Sequence, residues 1–412
     1  MGVFEELGVQ RVINAAGTLT RLGGRLMAPE VVAAMADAAR SHVRIDQLQE
    51  RAGAYLAEVS GAEAGYVTSG AAAGITLGVA ACIAGLDVAR MERMPPTAAD
   101  GLPPEVVVQR GHRNAYDHAV RAAGARLVEA GWAGHPGTGR NARWLLEAAI
   151  TERTVAFYHL VSSATQALPL ADVCEVAHRF GLPVVVDAAA SLPPAGNLRR
   201  FVAEGADLVA FSGGKAIGGP QASGILVGRA ELIESVALQQ QDMDVHPATW
   251  SQRERYLATG RLPGPPQQGF GRGFKVGKEE IAGLVVALRR YLAADSAAEE
   301  ASWRARCERL AAALADLPDL EVAVVAPAQR PLPQVELRPR PGAPLDAVGL
   351  MLGAAAGAPP LHLSEVGLDA GVVAIVPTCL DPADDERVVE ALRALWRGGG
   401  RGGGHRGSQD DT

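Results

Sequence analysis

Lys215 sits in the stretch FSGGKAIGGP, residues 211 to 220, between the apolar runs ADLVA and QASGILVG. Each run is short enough to be one buried strand. A lysine is rarely buried without a partner, and glycines gather where another group must approach the backbone closely. A lysine that forms a Schiff base with a carbonyl-bearing cofactor meets both conditions, because a desolvated or cation-flanked amine loses its proton readily. In this stretch alone, a lysine on a surface turn would look the same. Asp187 narrows the choice. It ends the very apolar run VVVD, where a carboxylate is costly unless a cation or good hydrogen bonds meet it. A protonated pyridine nitrogen is such a partner, and the chain between Asp187 and Lys215 is long enough for one helix and a return strand. His112, after VVVQRG, can lie flat against an aromatic ring or serve as a cap. Ser69 and Gly70 join the strand AGYVTSG to a helix beginning near Ala71. Free backbone N–H groups there, with a hydroxyl, suit a phosphate, although Ser-Gly before a helix can also be a plain N-cap. This junction carries neither GxxxxGK nor GxGxxG.

The elements that must position these residues follow a βαβ rhythm. AGYVTSG, EVVVQRGH, ARLVEAG, TVAFYHLVS and LPVVVDAAA read as strands, with helical stretches such as LADVCEVAHRFG between them. Apolar strands alternating with helices predict a parallel sheet covered on both faces. Ligands of such sheets bind beyond the strands' carboxyl ends. Ser69, His112, Ser162 and Asp187 all occupy such ends, and Ser212 and Lys215 follow the next strand. Upstream, a short helix precedes RVINAAGTLTRLGGRL, which carries Arg11, Arg21 and Arg25. Helices are expected from Pro29 to Arg40 and from about Gln47 to Val59. Residues 239 to 275 show little periodicity and read as an active-site loop that reaches a neighbouring subunit. From Lys278 one long helix leads into strands EVAVVAPA, PQVELRP and GVVAIVPTCL and a final helix. The tail RGGGRGGGHRGSQDDT is of low complexity and is expected to be disordered.

With 412 residues, 48% hydrophobic and 21% charged, the chain can bury a large core, and its formal net charge of −7 gives no basic excess for nucleic acid or an anionic membrane. Cys82, Cys174, Cys307 and Cys379 are far apart and lack metal-ligand spacing, so free thiols in a reducing compartment are expected. The N-terminus lacks a basic n-region and a long apolar run. A cytoplasmic protein is the expectation.

The combination is more specific than its parts. VINAAGTLTRLGGR, GAEAGYVTSGAAAGI, VVVQRGH, LPVVVDAAA, DLVAFSGGKAIGGPQASGILVG and GRGFKVGKEEIAGLVVAL resemble fold-type-I pyridoxal-phosphate enzymes, within them the selenocysteine-synthase group and its D-glucosaminate-6-phosphate ammonia-lyase branch. The resemblance implies an α/β fold of the fold-type-I PLP-dependent transferase kind, with a mostly parallel central sheet, helices on both faces and a smaller α+β domain. It implies pyridoxal 5'-phosphate as cofactor, with Lys215 as its Schiff-base lysine, Asp187 on the pyridinium nitrogen, His112 stacked on the ring and Ala189 on the other face. Ser69, Gly70, Ala71 and Ser212 would hold the phosphate. Arg25, Arg272 and Lys275 match positions that bind anionic substrate groups, and Ser162 is a further substrate-side candidate.

Two departures stand out. SSATQ, with Ser162 and Ser163, replaces a turn where the ammonia-lyase branch carries histidines. Lys275 stands where the selenium-transferring relatives have arginine, and that exchange is not conservative at an anion clamp. The implied reaction is elimination from a hydroxyamino acid to a 2-oxo acid and ammonia, with Lys215 as base. Transamination, racemisation, selenium transfer to seryl-tRNA and a non-catalytic regulator are the alternatives. The tRNA reaction is disfavoured by the acidic chain and by its opening directly on VINAAGT. Expected boundaries are an N-terminal segment 1–45, a large domain 46–277, a small domain 278–397 and a tail 398–412. A homodimer with sites at the subunit interface is expected.

Overall fold

Runs such as EVVVQ, VVVD and GILVG are too apolar to lie on a surface and too short for helices, and all of them become strands. A computed structural model describes residues 2–133, 142–162, 166–240, 244–327 and 332–399. In chain order the strands are β1 (Ile13–Ala15), β2 (Ala64–Thr68), β3 (Glu105–Gln109), β4 (Arg126–Ala130), β5 (Thr154–Leu160), β6 (Val184–Asp187), β7 (Leu208–Ser212), β8 (Gly224–Gly228), β9 (Leu320–Val325), β10 (Gln334–Pro339), β11 (Leu361–Leu363) and β12 (Val373–Ile375). The longer helices are α1 (Pro29–Ala39), α2 (Ile45–Ser60), α3 (Ala71–Ala84), α4 (Leu170–Arg179), α5 (Ala230–Gln240), α6 (Lys278–Ala293), α7 (Ser296–Leu314), α8 (Ala347–Ala355) and α9 (Asp385–Gly398).

The chain divides into two units, Met27–Ala293 and Met1–Leu26 with Ala294–Thr412. The larger holds a seven-stranded sheet in the order β2-β8-β7-β6-β5-β3-β4. Only β8 runs antiparallel to its neighbours, so the sheet is mostly parallel and covered on both faces. On one face Phe157, Val186 and Val209 pack with Leu56 of α2, Val173 of α4 and Leu284 of α6. On the other, Val106, Tyr158 and Val185 pack with Ile75 and Leu77 of α3 and Val236 of α5. Helix α3 is apolar all round because it lies between the sheet and other helices. Each fully buried Val or Leu contributes about 1.5–3 kcal/mol, which holds the strand ends in fixed register.

The smaller unit has an antiparallel sheet β12-β10-β9 and a parallel pair β1-β11, packed with α7, α8 and α9 around Leu310, Leu337 and Trp396. The N-terminal segment enters it through β1, whose Ile13 lies opposite Leu361. The units meet in sequence at 26/27 and 293/294 rather than 45/46 and 277/278, because α1 packs against α6 within the larger unit. The single helix expected from Lys278 is two. Asp295 breaks it, its carboxylate accepting the N–H groups of Ala297 and Ala298 at 3.0 and 3.1 Å, an N-cap that starts α7. Among the described residues no helix is long and apolar enough to cross a membrane.

Candidate active site

Strands β2, β3, β5, β6 and β7 all point their carboxyl ends to one edge of the sheet, and β8 begins there. Thr68 and Ser212 both lie opposite Gly224, and Asp187 lies opposite both Leu160 and Ala210. The register therefore sets Ser69, His112, Asp187, Ala189, Ser212 and Lys215 along the same edge.

The β2–α3 junction is shaped by glycine. Gly70 adopts φ +154°, and the Thr68 hydroxyl donates to its carbonyl at 2.9 Å. A Cβ on Gly224 would stand 2.5 Å from the Gly70 carbonyl carbon and 2.8 Å from the Ala71 nitrogen, so only glycine lets β8 seat against this turn. No side chain caps α3, and the first N–H groups of a helix have no intrahelical acceptor. Ser69, Gly70 and Ala71 thus form a cradle suited to phosphate.

Lys215 is half-buried on a closed turn between β7 and β8. Gly213 donates to Ser223 O at 2.9 Å, Gly219 to Gly213 O at 2.9 Å and Gly218 to Lys215 O at 3.0 Å. A Cβ on Gly213 would meet Ser223 Oγ at 2.1 Å and Leu284 at 2.7 Å. The glycines keep the turn that carries Lys215 tight.

Asp187 is buried, and neighbours hold both its oxygens: Oδ1 accepts the Ala189 N–H at 3.0 Å and Oδ2 the Tyr158 hydroxyl at 3.0 Å. Burial and then the nearby Asp187 carboxylate push the Tyr158 hydroxyl upward in pKa, so it stays a donor. Tyr158 was not singled out in the sequence; its only signal is a hydroxyl inside an apolar strand. His112 closes a 3₁₀ turn, Arg110–His112, and is buried. Its ring stands edge-on to His159, with centroids 4.5 Å apart and planes at 81°. Burial lowers His112 to about 4 and, with His112 as neighbour, lowers His159 to about 3. Both rings are neutral near pH 7, and neither Nδ1 has a partner among the described residues.

Pyridoxal phosphate fits these features. It brings an anion for uncapped N–H groups, a ring nitrogen for a fixed carboxylate, an aromatic face for a neutral imidazole and an aldehyde for Lys215.

The substrate-side candidates are placed differently. Ser162 follows β5 and is exposed, while Ser163 lies outside the described residues. Arg25 belongs to the smaller unit and pairs with Glu299 at 3.0 Å. Arg272 and Lys275 line a cavity of about 500 Å³ with Arg44, Asp46, Gln49 and Gln240. Lys215, Asp187 and His112 are not among its lining residues. The cavity nevertheless lies at the carboxyl end of β2. Helix α2 runs back along that strand, and Gln49 pairs with Val67 through its Nε2 (2.8 Å) and Oε1 (3.1 Å), which puts the helix start, Arg44 to Asp46, beyond the strand end.

The stretch read as an irregular loop is folded where it is described. Its first two residues end α5, and short turns at Pro247–Thr249, Arg253–Tyr256 and Phe270–Phe274 follow. Glu234 fastens it, accepting from Arg255, Tyr256 and Arg261 at 2.7–3.0 Å.

A family profile described as L-seryl-tRNA selenium transferase (SelA) matches residues 105–244. A 5'-C-glycyluridine monooxygenase-decarboxylase of Streptomyces sp is 34% identical over 95% of this chain and 91% of its own. A D-glucosaminate-6-phosphate ammonia lyase of Salmonella typhimurium is 36% identical over 70% of each chain. A solved structure of D-glucosaminate-6-phosphate ammonia-lyase superposes with a TM-score of 0.79 at 31% identity, covering 96% of this chain and 98% of that one. Sequence, sheet order and edge geometry agree: this chain belongs to the fold-type-I, pyridoxal-phosphate-dependent enzymes of the selenocysteine synthase and D-glucosaminate-6-phosphate ammonia-lyase group.

Proposed function

We propose that the protein is a pyridoxal-phosphate-dependent ammonia-lyase acting on a β-hydroxy-α-amino acid with a sugar-derived chain. The observation that carries this reading is the likeness to D-glucosaminate-6-phosphate ammonia-lyase along nearly the whole chain. The names of two relatives point to one substrate class. Glucosaminate and a glycyl group on C5' of uridine are both α-amino acids whose next carbon bears a hydroxyl and a sugar-derived chain.

When bound, the cofactor supplies an electron sink that makes the α-proton removable and the β-hydroxyl a leaving group. The remaining roles fall to the chain. The N–H groups at Ser69–Ala71, with Ser212, hold the phosphate. Asp187, steadied by Tyr158 and the Ala189 amide, keeps a proton on the ring nitrogen by opposite charge. His112 offers an uncharged face, and Ala189 packs opposite. The Lys215 amine takes the α-proton and can deliver it to the departing hydroxyl. Loss of water leaves an enamine that takes up water and yields a 2-oxo acid and ammonia. Arg25, Arg272, Lys275 and Ser162 are assigned to the substrate's anionic and hydroxyl groups. A cytoplasmic homodimer completes the reading, and sedimentation of the cofactor-loaded protein as a monomer would contradict that part.

A second reading is favoured by the relative that matches 95% of the chain: oxygen-dependent decarboxylation of the same kind of amino acid. One assay separates the two. The cofactor-loaded protein is given D- and L-β-hydroxyamino acids, D-glucosaminate 6-phosphate among them, in a closed cell that reads ammonia, 2-oxo acid, carbon dioxide and oxygen. The lyase reading expects equal ammonia and 2-oxo acid with no oxygen consumed. Carbon dioxide release coupled to oxygen uptake would overturn it in favour of the second.

A further inference from the structure

Asn114 ties the loop that carries His112 to Tyr158, the residue that holds Asp187. It lies in RGHRNAYD, just after β3. Its Oδ1 accepts the Tyr116 N–H at 2.7 Å, and the Asp117 carboxylate accepts the Asn114 N–H at 3.4 Å. This reciprocal cap closes the turn Ala115–Asp117. Only the oxygen of the amide can meet the Tyr116 N–H, which fixes the way the side chain points. Nδ2 then has two hydrogens to give, and it donates to the His112 carbonyl at 3.0 Å. The Tyr158 hydroxyl takes the same side chain as a donor: burial and the Asp187 carboxylate raise that hydroxyl in pKa, and Asn114 works the other way.

The sheet places Tyr158 for both contacts. It is buried in β5, opposite Val108 of β3 and Val185 of β6. Residues two apart on a strand share a face, so Asp187, two beyond Val185, lies on the face of Tyr158 and accepts its hydroxyl at 3.0 Å. On the other side, β3 runs on into the turns that hold His112 and Asn114. A phenol has one proton to give and can also accept. The order is therefore Asn114 to Tyr158 to Asp187, with each donor turned towards the carboxylate. Hydrogen bonds in such a chain polarise one another, and donors to a carboxylate favour its charged form. A helix cap needs only an acceptor, so capping alone does not account for the two donors of Asn114.

We propose that Asn114 is a positioning residue for the cofactor's ring nitrogen: through Tyr158 it keeps the Asp187 carboxylate charged, and so keeps the proton on that nitrogen. The same amide holds the His112 carbonyl. One side chain thus sets the ring-face contact and the ring-nitrogen contact relative to each other. The assignment rests on the reading above that Asp187 meets the ring nitrogen, and on no particular substrate.

The test loads the protein with pyridoxal phosphate whose ring nitrogen carries the heavy isotope, adds no substrate, and reads by solid-state NMR whether that nitrogen is protonated. Wild-type protein should show the protonated position and Asp187→Ala the neutral one. Tyr158→Phe removes the donor to Asp187 and should move the signal part of the way to the neutral position. Asn114→Ser keeps a cap acceptor but has no amide. Its urea midpoint should stay near wild type while the signal moves the same way by less. In a Tyr158→Phe background, Asn114→Ser should move it no further, because its effect passes through Tyr158. A neutral nitrogen in the wild type would overturn the proposal whether or not the variants fold. So would a wild-type signal in Asn114→Ser, or a further shift from it in the Tyr158→Phe background. If Asp187→Ala leaves the nitrogen protonated, the role of Asp187 fails and the proposal with it. If Asp187→Ala is neutral and Asn114→Ser is like wild type, only the part given to Asn114 fails. No ammonia is measured, so failure of the lyase reading leaves each of these outcomes as it stands.

Discussion

The cofactor edge and the substrate-side cavity are built by different means. At the edge, the functional residues end strands or follow them within a few residues, and glycine at 224 lets backbone meet backbone. At the cavity, residues come from a helix start, a helix end and a folded irregular segment, held by side chains such as Glu234 and Gln240. The first construction leaves little room for change at Gly224, where a Cβ would meet main-chain atoms. The second depends on side-chain contacts, which exchange more readily than main-chain ones.

Damage to the two regions should therefore separate. The largest effect is expected at the edge. Asp187→Ala removes the carboxylate that Tyr158 and Ala189 orient, and turnover should fall by about 10²–10³-fold while the circular dichroism of the fold is retained. Turnover close to wild type would remove the electron-sink role. In the folded segment beside the cavity, Glu234→Ala takes away the acceptor shared by Arg255, Tyr256 and Arg261, and because both arginines are about half exposed the loss should cost about 1–2 kcal/mol. Hydrogen exchange should quicken over residues 247–262 and KM should rise, with the cofactor's visible absorption unchanged. If that absorption disappears as well, the two regions are not separable.

How much of this was legible in the sequence follows the same division. A parallel sheet places all its carboxyl ends together, so Ser69, His112, Asp187, Ser212 and Lys215 could be assigned to one edge from strand signals alone. The fold class and the family likewise followed from motifs that a strand-end site requires. Tyr158 and His159 were hidden because a strand buried on both faces shows no period to mark a polar member. Gln240 lay in a stretch read as irregular, since ELIESVALQQ ends without a glycine or proline stop. The helix break at Asp295 did carry an Asp-Ser cap signal, but the helical pattern runs through it on both sides. Tertiary contacts, not local pattern, decide such places.

A smaller effect tests the buried histidines behind the edge. Their folded values, about 4 for His112 and about 3 for His159, lie below the ordinary value, so the unfolded chain binds protons first as pH falls below about 6.5. Their contribution to stability is complete above that pH and declines from there toward about pH 3. His159→Phe keeps an aromatic ring that cannot protonate. Its urea midpoint should change less between about pH 7 and about pH 5 than that of the wild type. An identical pH dependence in both proteins would mean that His159 is not buried in its neutral form.

The central claim is that Lys215 carries the cofactor at the strand-end site, and borohydride reduction followed by peptide mapping tests it most directly. Reduction of the cofactor-loaded protein should bleach its visible absorption and leave a stable adduct, found only on the peptide containing residue 215. Lys215→Ala should show neither the absorption nor the adduct. A reduced cofactor on any other lysine, Lys275 and Lys278 included, would contradict the account.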